Sequence, residues 1–238
     1  MSSWAIVIGA GPGLGAALAK RFAREGCHVA LLARNAERLT SLQKQIVSAG
    51  GQATPFACDV TSKEDVDRAF GLMKEQFQQN RLEVAVYNTA AFSMSPFLSI
   101  SPEKFESDWK TMTLGAFLCS QKIVDLMAKQ NHGTLIFTGA TASVRGSSGF
   151  ASMASAKFGL RALSQSLSRE FHPQGIHVAH VIIDGYIDTE QLNKTFGPGE
   201  PGTRLDTDAI ANEFWNLHSQ DRSTWTQELD LRPFSESF

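Results

Sequence analysis

The chain has 238 residues, 42% of them hydrophobic and 19% charged, which suits a globular protein and is more consistent with one large domain than with two small ones. A formal net charge of −2 and a pI near 6.3 exclude an electrostatic case for nucleic acid or an anionic membrane surface, so any anion must be held by a local site. The N-terminal Met1-Ser2-Ser3-Trp4 carries no basic region, and the apolar run that follows is too short for a signal peptide or a spanning helix. Cys27, Cys58 and Cys119 lie far apart with no second ligand beside any of them, which fits unpaired thiols in a reducing cytoplasm.

Residues 4–8 form a continuous apolar run stopped by glycine, the pattern of a strand buried on both faces. From Leu14 the apolar positions change to helical spacing through Ala17, Leu18 and Phe22, ending near Gly26. Residues 28–33 read as a second strand, and Asn35 caps a helix running through Leu39, Leu42 and Ile46 to Gly50. A strand over 52–58, a helix over 62–77 and a strand over 82–87 follow. Residues 101–129 hold one long helix or two; 133–139 is a strand, 149–171 a helix and 176–183 a strand. The stretch 184–205, with four glycines and two prolines, breaks the pattern and reads as a lid, a substrate loop at about 186–205. A short helix (207–218) and a last strand (225–231) close the chain. Such alternation implies right-handed crossovers and a mostly parallel sheet covered by helices on both faces, in one domain over 1–238.

The first strand runs into Gly9-Ala10-Gly11-Pro12-Gly13-Leu14-Gly15 and then a helix. A turn without side chains lets the backbone approach a pyrophosphate, and the helix start offers free N–H groups and the positive end of its dipole. The spacing is G-x-x-x-G-x-G, and with the motifs that follow it is similar to the short-chain dehydrogenase/reductase family along nearly the whole chain. Cys58-Asp59-Val60 resembles the family's D-V pair at the adenine, and Tyr87-Asn88-Thr89-Ala90 resembles its N-N-A-G motif. Lys157 stands where the family has the lysine of Y-x-x-x-K, and Asp184-Gly185 through Ile187 to Thr189 resembles the P-G-x-x-x-T at the nicotinamide. The resemblance implies a Rossmann-type, doubly wound α/β fold with a seven-stranded sheet, a nicotinamide dinucleotide as cofactor, a small-molecule substrate and a homodimer or homotetramer.

The end of the second strand bears on which dinucleotide is preferred. An acidic residue there would bind the ribose hydroxyls and repel a 2′-phosphate, but the chain has Ala33 followed by Arg34 and Asn35. A guanidinium without an acid beside it suits a phosphate, which favours NADP(H) over NAD(H); a solvated surface arginine is the alternative.

The family's usual chemistry uses a tyrosine, a serine and an asparagine besides the lysine. Counting back from Lys157, the tyrosine and serine positions hold Met153 and Ala140, and aligning Leu114-Gly115-Ala116-Phe117 with the family's helix puts Met112 at the asparagine, so only the lysine is retained. Tyr186, at the start of the lid, is the better placed of the two tyrosines, since Tyr87 falls in a buried strand. Ser143, Ser147, Ser148, Ser152 and Ser155 are near, though a lone serine is a poor proton donor at neutral pH. Phe150-Ala151-Ser152-Met153-Ala154-Ser155-Ala156-Lys157 also resembles the Y-x-x-M-x-x-x-K of enoyl-acyl-carrier-protein reductases, with phenylalanine in place of the tyrosine, and dienoyl-CoA reductases likewise manage without the tyrosine. In conjugate reduction charge develops on an enolate, and an oxyanion donor matters more than a strong acid. Two readings follow: an NADP(H)-dependent oxidoreductase with non-standard catalytic residues, or a cofactor-binding protein without turnover that serves as sensor or partner subunit.

Overall fold

The computed structural model describes residues 3–236; Met1 and Ser2, part of the segment read above for a targeting signal, lie outside it, as do Ser237 and Phe238. Strand β1 (Ser3–Ile8) is buried from Trp4 onward because both of its faces are covered. After it come α1 (Leu14–Arg24), β2 (His28–Ala33), α2 (Ala36–Ser48), β3 (Gln52–Ala57), α3 (Lys63–Phe77) and β4 (Arg81–Tyr87). The second half runs α4 (Pro102–Trp109), α5 (Gly115–Gln130), β5 (Gly133–Thr138), α6 (Ala151–Phe171), β6 (Ile176–Ile183), α7 (Glu190–Phe196), α8 (Thr207–His218) and β7 (Glu228–Leu231).

The strands form one sheet in the order β3-β2-β1-β4-β5-β6-β7, and every neighbouring pair is parallel. Successive side chains of a strand point to opposite faces, so the sheet feeds two cores. Ala5, Val7, Leu31, Val86 and Val181 pack with Leu18 and Phe22 of α1, Leu39 of α2 and Phe214 of α8. Trp4, Ile6, Leu32, Tyr87 and Phe137 pack on the other face with Phe70 of α3, Ile123 of α5 and Leu160 of α6. Trp4 stacks on Phe77 with ring centroids 4.5 Å apart, closing the second core at the edge where β1 begins.

Strand β7 is short and is held by charge. Arg161 of α6 donates two hydrogen bonds to Glu228, at 2.7 and 2.6 Å, and the buried His180 of β6 donates to the same carboxylate from Nδ1 at 3.1 Å. Burial pulls the His180 imidazole down to about 4, so it is neutral at physiological pH. The strand begins at Glu228 rather than at 225, because Trp225 instead stacks on His177 at 4.8 Å.

Two local features differ from the sequence pattern. The segment 101–129 divides into α4 and α5 around a five-residue π-helical stretch, Lys110–Leu114, whose Thr111 carbonyl accepts a 2.5 Å hydrogen bond from the Tyr87 hydroxyl. The stretch expected to be irregular contains α7, capped by Thr189, whose hydroxyl accepts the Leu192 N–H at 3.2 Å. With seven residues, none of them buried, α7 has no apolar periodicity to reveal it.

Candidate active site

The crevice lies where strand order turns back: β1 is flanked by β2 and β4, and the chain leaving β3 crosses to β4. The glycine loop follows β1, anchored by the Gly9 and Ala10 N–H groups, which both donate to the Leu32 carbonyl at 2.8 and 3.0 Å. A Cβ on Gly15 would lie 2.1 Å from the Gly9 carbonyl oxygen, and one on Gly13, where φ is +93°, would lie 2.8 Å from Cγ2 of Thr189. Helix α1 therefore starts bare, with no side-chain cap and no acidic residue in its first turn, so its first N–H groups and dipole suit an anion. This cradle and its donors fit the pyrophosphate of a dinucleotide.

The other expected cofactor residues fall into two groups. Leu14, Asn88, Ala90, Lys157, Gly185, Ile187 and Thr189 line one cleft of about 700 Å³ at the strand ends. Gly9, Pro12, Gly13 and Gly15 form the loop, and Asn88 braces it by donating from its backbone to Ile8 at 2.8 Å and from Nδ2 to the Gly9 carbonyl at 3.3 Å. Arg34, Asn35, Asp59, Val60 and Thr89 follow β2, β3 and β4 and do not line the cleft. Asp59 accepts from the Thr61 N–H and hydroxyl at 2.9 and 2.8 Å, Asn35 caps α2 at 2.9 Å, and Val60 is buried. Arg34 is exposed and makes no hydrogen bond or ion pair among the described residues.

Lys157 is 1% exposed and donates from Nζ to the Thr138 carbonyl at 2.7 Å. Burial pulls its ammonium down to about 8. Met153, Ala140 and Phe150 line the cleft beside it, whereas Met112 is fully buried and does not line it. Tyr186 is half-exposed in the lining, its ring 6.0 Å from that of Phe196, and Tyr87 is a core residue. Of the serines only Ser147 reaches the cleft. Ser143 is buried and accepts the Ala140 N–H at 3.0 Å, Ser148 is exposed, and Ser155 donates to its own helix at Ala151. Ser152 is buried and donates to Asp108 of α4 at 2.7 Å.

Sequence reasoning passed over Arg145 and Thr141 as cleft residues and read Asp184 only as the start of the motif running to Thr189. Thr141 donates to the buried Asp184 carboxylate, and both line the cleft with Arg145. The signal was positional: residues 139–150 follow the end of β5, where ligands gather in such sheets. The expected lid is tied at its base, where the Asp188 backbone N–H donates to the Leu205 carbonyl at 2.8 Å and the Leu205 N–H to that of Tyr186 at 2.9 Å. Among the described residues no group of three or more His, Cys, Asp or Glu is placed to hold a metal ion, and no helix is long and apolar enough to cross a membrane.

The family model described as short chain dehydrogenase matches residues 3–198. Over 226 residues the chain is 30% identical to the 3-oxoacyl-(acyl-carrier-protein) reductase MabA of Mycobacterium bovis, covering 92% of this chain and 86% of that one. It is similar in structure to a short-chain dehydrogenase from Rhodopseudomonas palustris, with 36% identity, a TM-score of 0.83 and coverage of 98% and 99% of the two chains. A metagenomic short-chain oxidoreductase solved in complex with NADP shares the fold at 23% identity, with a TM-score of 0.84 over 98% of each chain.

Proposed function

The chain belongs to the short-chain dehydrogenase/reductase family of oxidoreductases, and from that premise we propose that it uses NADP(H) to reduce or oxidise a small organic substrate with a non-standard catalytic set. The observation that carries this reading is the single cleft in which Leu14 at the glycine loop, Asn88, Lys157 and Thr189 meet. Arg34, exposed and without an acidic partner among the described residues, supports a 2′-phosphate rather than a free ribose diol. The solved NADP complex of a protein of this fold is consistent with that preference.

A nicotinamide dinucleotide bound there would supply or accept the hydride. Lys157, Tyr186 and Ser147 are the candidates for moving a proton or steadying a developing oxyanion, because Met153 and Ala140 offer no hydroxyl. Lys157 keeps N–H groups beyond the one given to Thr138 and sits at the base of the cleft, where a low dielectric strengthens its field. This set suits an acceptor that leaves a stabilised anion, such as an activated C=C bond, better than a simple ketone. The apolar side chains at 140, 150 and 153 equally favour the second reading, a cofactor-binding protein without turnover.

Calorimetric titration with NADPH and NADH, followed by NADPH oxidation assays over enoyl thioesters, quinones, imines and carbonyls, separates the two. Binding with turnover on one class supports the oxidoreductase, binding without any turnover supports the sensor or partner subunit, and no binding removes both. We further propose that the whole chain acts as one domain, in the cytoplasm on the ground of its three free buried cysteines. A homodimer or homotetramer would cover Phe105, Trp109, Phe117 and Phe158, exposed on α4, α5 and α6.

A further inference from the structure

We infer that Arg145 and Ser147 form an anion subsite in the substrate cleft, and that the substrate is an apolar carboxylic acid whose carboxylate docks there. The inference rests on reading the cleft as the substrate site and goes on to name the substrate's chemical class.

The guanidinium of Arg145 lines the cleft with its side chain about half exposed. Among the described residues its one ion pair, to Asp184, spans 3.6 Å, too long for a hydrogen bond. Asp184 is already served: it is buried, accepts the Thr141 hydroxyl and lies 3.3 Å from Arg232 on its other oxygen. Among the described residues no side-chain donor of Arg145 makes a hydrogen bond, and neither does the Ser147 hydroxyl two residues on.

The surroundings select the rest of the ligand. Phe92, Phe150, Met153, Leu192 and Phe196 line the same cleft, and Phe92 and Phe196 are 58% and 56% exposed, a cost that an apolar ligand would relieve. A planar guanidinium matches a carboxylate through two parallel hydrogen bonds, and beside apolar walls that pairing is stronger than in open water. A phosphate dianion would call for a second cation beside Arg145, and the other cation of the lining, Lys157, is buried and gives one N–H to Thr138. Besides Asp184, Glu236 is a carboxylate in the lining, and its charge repels an acid.

The test uses the full-length protein, with and without NADPH, and calorimetric titration of 2-naphthoate, 2-naphthamide and 1-naphthyl phosphate. The wild type is expected to bind the naphthoate at least about tenfold more tightly than the amide, the size of one charge-assisted contact. Arg145→Gln should erase that difference while leaving NADPH affinity and the thermal midpoint unchanged, and Glu236→Gln should tighten naphthoate binding. Equal affinity for acid and amide, a difference that survives in Arg145→Gln, tighter binding of the phosphate, or weaker acid binding in Glu236→Gln would each overturn the subsite. Failure of NADPH to bind overturns the dinucleotide reading instead, and the naphthoate titration of the unloaded protein still decides the subsite on its own.

Discussion

Thr189 links α7 to the glycine loop: its hydroxyl caps helix α7, and its Cγ2 methyl lies where a Cβ on Gly13 would come within 2.8 Å. Gly13 also has φ of +93°, a conformation that a side chain strains. Gly13→Ala should therefore cost roughly 1–3 kcal/mol of stability and weaken NADPH binding by at least about tenfold. Adding Thr189→Ser removes the methyl but not the dihedral strain, so the double variant should recover part of the loss. Urea midpoints and calorimetry of the three proteins measure both effects.

On the proposed use of NADP(H), Arg34 is the residue that sets cofactor preference. Arg34→Ala should lower NADPH affinity by about tenfold or more, the worth of a charge-assisted phosphate contact, and leave NADH affinity nearly unchanged. Asn35 is a poorer choice for the same experiment, since its side chain caps α2 and its loss would cost helix stability of about 1 kcal/mol. Parallel titrations with the two cofactors give the ratio directly, and an equal loss for both would remove Arg34 from phosphate recognition.

The ammonium of Lys157 is disfavoured by burial, which lowers it from 10.5 to about 8. A cation whose folded value is depressed binds fewer protons folded than unfolded between these two values, so stability rises with pH across that window. Below about pH 8 the full cost of the buried charge is present, about 3 kcal/mol at 1.36 kcal/mol per unit; above about 10.5 it is gone. Lys157→Met should flatten this rise and unfold at higher urea than the wild type at pH 7. It should also impair cofactor binding, since Lys157 is among the residues that line the cleft. Urea melts of the two proteins from pH 7 to 10.5 test the slope, and a parallel slope in both would dissociate it from Lys157.

What could be read from the chain was whatever has a local signal. The buried strands announce themselves as apolar runs, as β1 does from Trp4 to Ile8, and the glycine loop by its spacing: Gly9 and Gly15 lie against backbone, and Gly13 has a positive φ and lies against the Thr189 side chain. The π-helical stretch at Lys110–Leu114 gave no such signal, because the Tyr87 hydroxyl that meets its Thr111 carbonyl comes from 24 residues away. The burial of Ser152 gave no signal for the same reason: its partner, Asp108, is on another helix 44 residues earlier. Arg145 was invisible as a site residue, since its value lies in what Asp184 already holds, a tertiary fact.

The apolar wall beside Lys157 makes a gain of function the sharpest test of the site. Met153 lies one helical turn before Lys157 on α6, and both side chains line the cleft with Ala140. A tyrosine placed at 153 would put its hydroxyl near the ammonium, which favours the phenolate and brings its proton within easier reach, while a serine at 140 could orient a carbonyl. Met153→Tyr with Ala140→Ser should therefore reduce simple ketones with NADPH at a rate at least about tenfold above the wild type, the low end of what general acid catalysis contributes. Met112→Asn should not be added: its side chain is fully buried and does not line the cleft, so an amide there costs roughly 2–4 kcal/mol. NADPH oxidation with a ketone panel, read beside NADPH affinity, decides the matter. A double variant that folds, binds NADPH and reduces no ketone would mean that the cleft does not present a carbonyl to residues 140 and 153.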